Sequence, residues 1–151
     1  MLLKPGQWLG KGSVLLQGMS LGETVNVELK IEEHDDSITL TGSMDVGEHA
    51  GAEVSVQVVP NEVGTYTLDA FVAGTRLDGV GKLESDPNAA LLWHENDVAH
   101  ASVVLFPIPG GFGCRGFLRE KDTVRTWEIA FNLRQNVVRG GNVVSLSRRR
   151  R

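Results

Sequence analysis

The chain has 151 residues, 41% apolar and 23% charged, which suits one domain with its own core and excludes a disordered composition. A single Cys114 excludes an internal disulfide, and no apolar run reaches the length of a signal peptide or a membrane-spanning helix; a cytoplasmic location is expected. Net charge is −4, but taking the four arginines Arg148–Arg151 from the 15 basic residues leaves 11 against 19 acidic, a body of −8 that argues against nucleic acid as the main partner.

Taken in chain order, the dominant period is two. A first strand is expected around Trp8 to Leu16. Val25, Val27, Leu29 and Ile31 then alternate with Asn26, Glu28 and Lys30, the pattern of a strand with one dry face and one wet face. Glu33-His-Asp-Asp36 reads as a polar turn. Ser37 to Met44 follows, with Ile38, Leu40, Gly42 and Met44 on one side, and Val54, Val56 and Val58 continue the alternation. Tyr66 to Val72 and Arg76 to Glu84 form two further strands around a turn at Ala73-Gly74-Thr75. Asp86-Pro87 reads as a turn leading into Ala89 to His94. Strands at Ala101 to Phe106, Gly113 to Arg119 and Thr123 to Leu133 complete the main series, and a last one is expected at Asn142 to Arg148.

Roughly ten short strands with almost no amphipathic helix define an all-β chain. Short connections favour next-neighbour pairing. Closing the sheet removes its two exposed edges. The expected fold is therefore a single antiparallel up-and-down barrel with little helix. Residues 1–147 form its domain and residues 148–151 a basic tail.

Gly6-Gln7-Trp8 at the start of the first strand, with Arg148 ending the last, resembles the calycin signature of lipocalins, fatty-acid-binding proteins and nitrobindin-type barrels. The run Gly79-Val-Gly-Lys-Leu-Glu-Ser-Asp-Pro87, followed by Leu92-Trp93-His94, is similar to the middle of small lipocalin-like barrels. The resemblance implies that Trp8 plugs one end and that Gly6, Trp8 and Arg148 close the barrel, the guanidinium lying over the indole. Three departures qualify it. Gln17 to Thr24 leaves no room for the paired helices of fatty-acid-binding proteins, and the lipocalin helix before the last strand is missing. Val137 to Arg148 holds no histidine for the haem of nitrobindin-type proteins, so no cofactor is expected.

Other motifs carry little chemistry. Gly111-Phe-Gly-Cys-Arg-Gly116 matches G-x-G-x-x-G, but a strand follows where a dinucleotide fold needs a helix. It reads as a glycine-rich hairpin loop. His94 and His100 flank Glu95-Asn-Asp97 and would form a metal site, with Glu95 or Asp97 as third ligand, only if they faced each other; solvated imidazoles are the expectation, and no metal is assigned. His34 and His49 lie in loops. No nucleophile elbow appears, and Cys114 reads as a small buried thiol beside Arg115.

Small inward residues, Gly42, Ala70, Gly79, Gly81, Ala101 and Gly116, are expected to widen the interior. Its expected walls are Val27, Leu29, Leu40, Val56, Tyr66, Leu68, Val103, Leu105, Trp127, Ile129 and Phe131, with Arg125 as an anchor for an anionic head. The expected function is non-catalytic binding of a small apolar or amphipathic, lipid-like molecule. An enzyme using the same cavity through Tyr66, Arg125 or His94 is the alternative. A packed barrel that forms a homodimer through an outer face near Phe71 and Val80 is the second.

Overall fold

A computed structural model describes residues 1–96 and 98–134. Ten strands follow one another: β1 (Gly6–Leu16), β2 (Glu23–Glu33), β3 (Ile38–Val46), β4 (His49–Pro60), β5 (Tyr66–Val72), β6 (Thr75–Lys82), β7 (Asn88–Trp93), β8 (Ala99–Ile108), β9 (Gly111–Glu120) and β10 (Thr123–Leu133). Each pairs antiparallel with its sequence neighbours, and β10 pairs with β1, so the sheet closes into a barrel. No helix among the described residues is long and apolar enough to cross a membrane.

Turn chemistry sets this order. Ala73 and Gly74 both take positive φ, 50° and 86°, the conformation of a two-residue turn whose twist matches the strands it joins. They connect Val72 to Thr75, which are direct partners. Lys121, at φ 52°, is the one positive-φ residue of the two-residue turn from β9 to β10, with Glu120 opposite Thr123. The polar turn expected at Glu33–Asp36 is present, held by the His34 amide donating to the Ser37 carbonyl at 2.8 Å.

Closure occurs one strand earlier than the terminal-strand reading places it. β1 runs beside β10 from Trp8 opposite Leu133 to Leu16 opposite Arg125, and its other edge is taken by β2. The seam is thus complete within the described residues. The strand expected at Asn142 to Arg148, the Arg148 closure and the Arg148–Arg151 tail lie outside them.

The interior has two unequal ends. At the end where β1 begins, Trp8 is 3% exposed and its Nε1 donates to the Lys4 carbonyl at 2.9 Å. Its ring lies 5.0 Å from that of Phe112, tilted by 57°, and Phe112 stacks on Phe131 at 5.0 Å. Leu3, Ile31, Ile38, Val58, Tyr66 and Leu83 pack into the same cluster. This is a closed end. Aromatic side chains supply large apolar areas, and three in contact fill the taper of a closing sheet.

A smaller cluster, Ala70, Leu77 and Ala99 with Val56, Leu92 and Leu118 against it, lies toward the other end. The members of this cluster are all aliphatic. The β1–β2 connection and the two-residue turns at Ala73–Gly74 and Lys121–Asp122 surround this mouth.

Candidate functional site

The ligand-wall residues expected from parity do face inward, but they divide by depth. Val27, Leu29, Leu40, Tyr66, Leu68, Ile129 and Phe131 are buried and pack together. Val56, Val103, Leu105 and Trp127 face inward yet keep part of their surface exposed. The same holds for Val14, Met44, Val46, Val54, Leu92 and Cys114. These partly exposed side chains stand beside fully buried Ala70, Leu77, Ala99 and Ala101 toward the same end. The candidate site is the stretch of inner wall that the partly exposed residues share on the mouth side of Ile129 and Phe131.

The inward glycines do less to hollow the barrel than their size suggests. A Cβ on Gly116 would meet the Trp127 ring at 2.8 Å, and one on Gly79 would meet Leu92 Cγ at 2.9 Å. Each glycine therefore makes room for a large neighbour. Both, like Gly42, also stand against a backbone carbonyl of the neighbouring strand, Ser102 at Gly116, Leu91 at Gly79 and Glu28 at Gly42, so each permits two strands to approach closely. Parity gives direction, but the occupant of the space is decided by the strand alongside.

Arg125 has the inward parity of Trp127 and Ile129 and stands at the mouth, opposite Leu16. Its Nη1 bonds Glu120 Oε1 at 3.2 Å. Glu120 shares the inward parity of Phe112, Cys114 and Leu118 on β9. The mouth thus carries a cation whose counter-ion is already in place. Both side chains remain well exposed, so the pair is weak and exchangeable.

Cys114 and Trp127 meet within the barrel, where the indole N–H donates to the thiol. Burial pushes the thiol up from its ordinary value, and the indole hydrogen bond opposes this only in part. Tyr66 is likewise pushed up, first by burial and then by its hydrogen bond to Glu84 and that carboxylate's charge. Both groups hold their protons more tightly when folded. Their contribution is complete below their unfolded values and is lost as pH rises through the raised folded ones. Stability is expected to fall as pH rises through the ordinary cysteine and tyrosine values and beyond. Thermal melts of Cys114→Ser combined with Tyr66→Phe should show a shallower alkaline decline than the parent.

Other candidates do not assemble. Trp93, not His94, pairs with His100, and His94 lies one residue beyond the end of β7. His94 Nδ1 instead accepts the Asn96 amide at 3.1 Å. Among the described residues no group of three or more histidine, cysteine or acidic side chains is placed to hold a metal; Asp97 lies outside them. The G-x-G-x-x-G run is part of strand β9 and not a hairpin loop, so its amides belong to the sheet ladder and cannot cradle a phosphate. Two surface depressions, of about 200 and 520 Å³, are lined mainly by outward-facing side chains. The wider one was not legible in the strand periods, because it spans four strands whose proximity only closure creates.

Comparison with known proteins places the fold. No protein-family model matches the sequence, and no curated protein does. Among solved structures the chain is similar to the S-type phycobiliprotein lyase CPES from Guillardia theta, with a TM-score of 0.64 and 16% identity over 86% of this chain and 88% of that one. At that identity the likeness speaks for the fold alone, a closed antiparallel barrel.

Proposed function

We propose that the mouth-side half of the barrel binds one small apolar or amphipathic molecule without covalent chemistry. The observation that supports this reading is the set of inward apolar side chains that are only partly buried, Val14, Met44, Val54, Val56, Leu92, Val103 and Trp127. Apolar surface kept wet inside a fold is costly unless something displaces the water. The closed aromatic end gives such a guest a floor, and the mouth gives it one entrance.

Arg125 anchors an anionic head in this reading. A guest carboxylate replaces Glu120 as the partner of the guanidinium, while the apolar body lies against Trp127 and Leu92. The similarity to a phycobiliprotein lyase adds a bilin, the pigment type that phycobiliproteins carry, to the fatty acids worth testing as guests.

The test is a pair of titrations with Arg125→Leu. One half-exposed ion pair is worth about 1 kcal/mol, so a fatty acid should bind roughly fivefold more weakly while its neutral alcohol is unaffected. Equal losses for both would remove Arg125 as the anchor. Failure of either to bind the parent protein would remove the reading itself.

A further inference from the structure

One polar atom on the inner side of the sheet is left without a partner. Asn88 opens β7, and among the buried side-chain nitrogens and oxygens of the described residues its Oδ1 alone meets no hydrogen-bond partner. Its Nδ2 donates to the Ser85 carbonyl at 2.7 Å. That bond fixes which way the amide is turned, since the reverse would set two oxygens against each other. The unpaired atom is thus an acceptor and not a donor. Buried acceptors are nearly always paired, and leaving one unpaired is costly.

Register places this acceptor at the inner limit of the candidate site. Asn88 stands opposite Leu105 and has the inward parity of Ala90 and Leu92. Its row continues through Cys114 to Ile129. Arg125 belongs to a row nearer the mouth, which runs through Leu118 and Ala101 to Leu92. From Leu92 to Asn88, as from Arg125 to Ile129, is about 13 Å along the strand. The row between is Ala90, Val103, Gly116 and Trp127, apolar except for the indole N–H, which Cys114 takes up. Tyr66, whose row meets Ala90 through Gly81, is already bonded to Glu84. Asn88 Oδ1 is the acceptor that these pairings leave over.

We propose that Asn88 Oδ1 determines guest specificity by accepting a hydrogen bond from an N–H or O–H group of the guest, an inference that rests on binding within the barrel as proposed above. The guest is then elongated and has two polar points. Its anionic group lies at Arg125, an apolar stretch follows along Val103 and Trp127, and a donor lies about 13 Å deeper, measured along the strands. A plain fatty acid fits the apolar stretch but ends in a methyl group that leaves the acceptor unpaired. Such a site favours the guest that brings a proton to it and disfavours one that brings only another oxygen.

Calorimetric titration with series of fatty acids ending in methyl, hydroxyl or methoxy tests this, because methoxy offers an oxygen without a proton. The parent should bind the best hydroxyl-ended acid about tenfold more tightly than its methoxy-ended counterpart. Asn88→Leu should abolish that difference and still bind the methyl-ended acid. A second readout needs no variant: the Asn88 Cγ resonance of the parent should shift further with the hydroxyl-ended acid than with the methoxy-ended one. Equal affinities for the two in the parent, equal shifts, or a preference that survives in Asn88→Leu would each overturn the role of Asn88 while leaving an apolar guest in place. If none of the acids binds the parent, the binding reading falls and this inference falls with it.

Discussion

Replacing Trp8 with Ala is expected to destabilise the barrel by about 3–5 kcal/mol, the range for a buried aromatic truncated to a methyl group. Three losses coincide at this position. The indole is almost wholly buried, its N–H bonds Lys4, and its ring supports Phe112, which in turn stacks on Phe131. The cavity left behind cannot collapse easily, because these rings are seated on closed strands. Typical domains have only about 5–15 kcal/mol to lose, so Trp8→Ala should move the urea midpoint far toward zero. Trp8→Phe keeps most of the packing and gives up the hydrogen bond, for about 1 kcal/mol beyond the smaller ring's lost area. A loss below about 1 kcal/mol for Trp8→Ala would show that the early indole does not plug the end.

Gly12→Val is expected to have the second largest effect, and it acts on the seam. Gly12 lies between Val25 of β2 and Ile129 of β10. A Cβ there would collide with the Glu128 carbonyl and stand 2.7 Å from Ile129 Cα. Both obstacles are backbone, so no rotamer change relieves them and the strands must separate. Overpacking usually costs about 1–3 kcal/mol, and a backbone collision belongs at the upper end. The local readout is hydrogen exchange. Amides of Lys11, Ser13 and Ala130 should exchange faster, while those of β4 and β5 on the far wall should change only by the global loss. Unchanged seam protection would contradict a barrel closed by β1 and β10.

Much of this architecture is legible in the chain, for reasons that differ by element. Val25 to Ile31 alternates without a fault, and β2 shows buried and exposed residues in strict turn. Ala73-Gly74 and Lys121-Asp122 lie where turns are needed, so neighbouring strands pair in sequence order. Closure follows from the edges. What alternation does not encode is which strand meets β1. Thr123 to Leu133 and Asn142 to Arg148 both alternate, and the choice rests on register and length, which single-strand patterns leave open. β10 matches the eleven residues of β1.

The site was legible in direction and not in depth. Parity correctly turned Val27, Leu29 and Phe131 inward, yet these pack into the closed half. Met44, Val54 and Leu92 carry the same inward signal and remain reachable by solvent. Nothing in a period of two distinguishes the plugged half from the open one. The difference arises from where the aromatic rings cluster, and Phe112, inside a run read as a glycine-rich loop, is the ring that joins Trp8 to Phe131. Arg125 was placed correctly at one end of its strand, but its partner Glu120 came from across the β9–β10 turn.

The most direct measurement is a fluorescence titration of the protein and of Trp127→Phe with a fatty acid, a neutral apolar dye and a bilin. Trp127 stands inside the barrel, Trp8 in the plug and Trp93 outside. A guest in the open half should therefore quench the parent saturably and leave the variant's emission largely unchanged. Emission that no compound alters, or quenching that survives in Trp127→Phe, would contradict a guest held within the barrel.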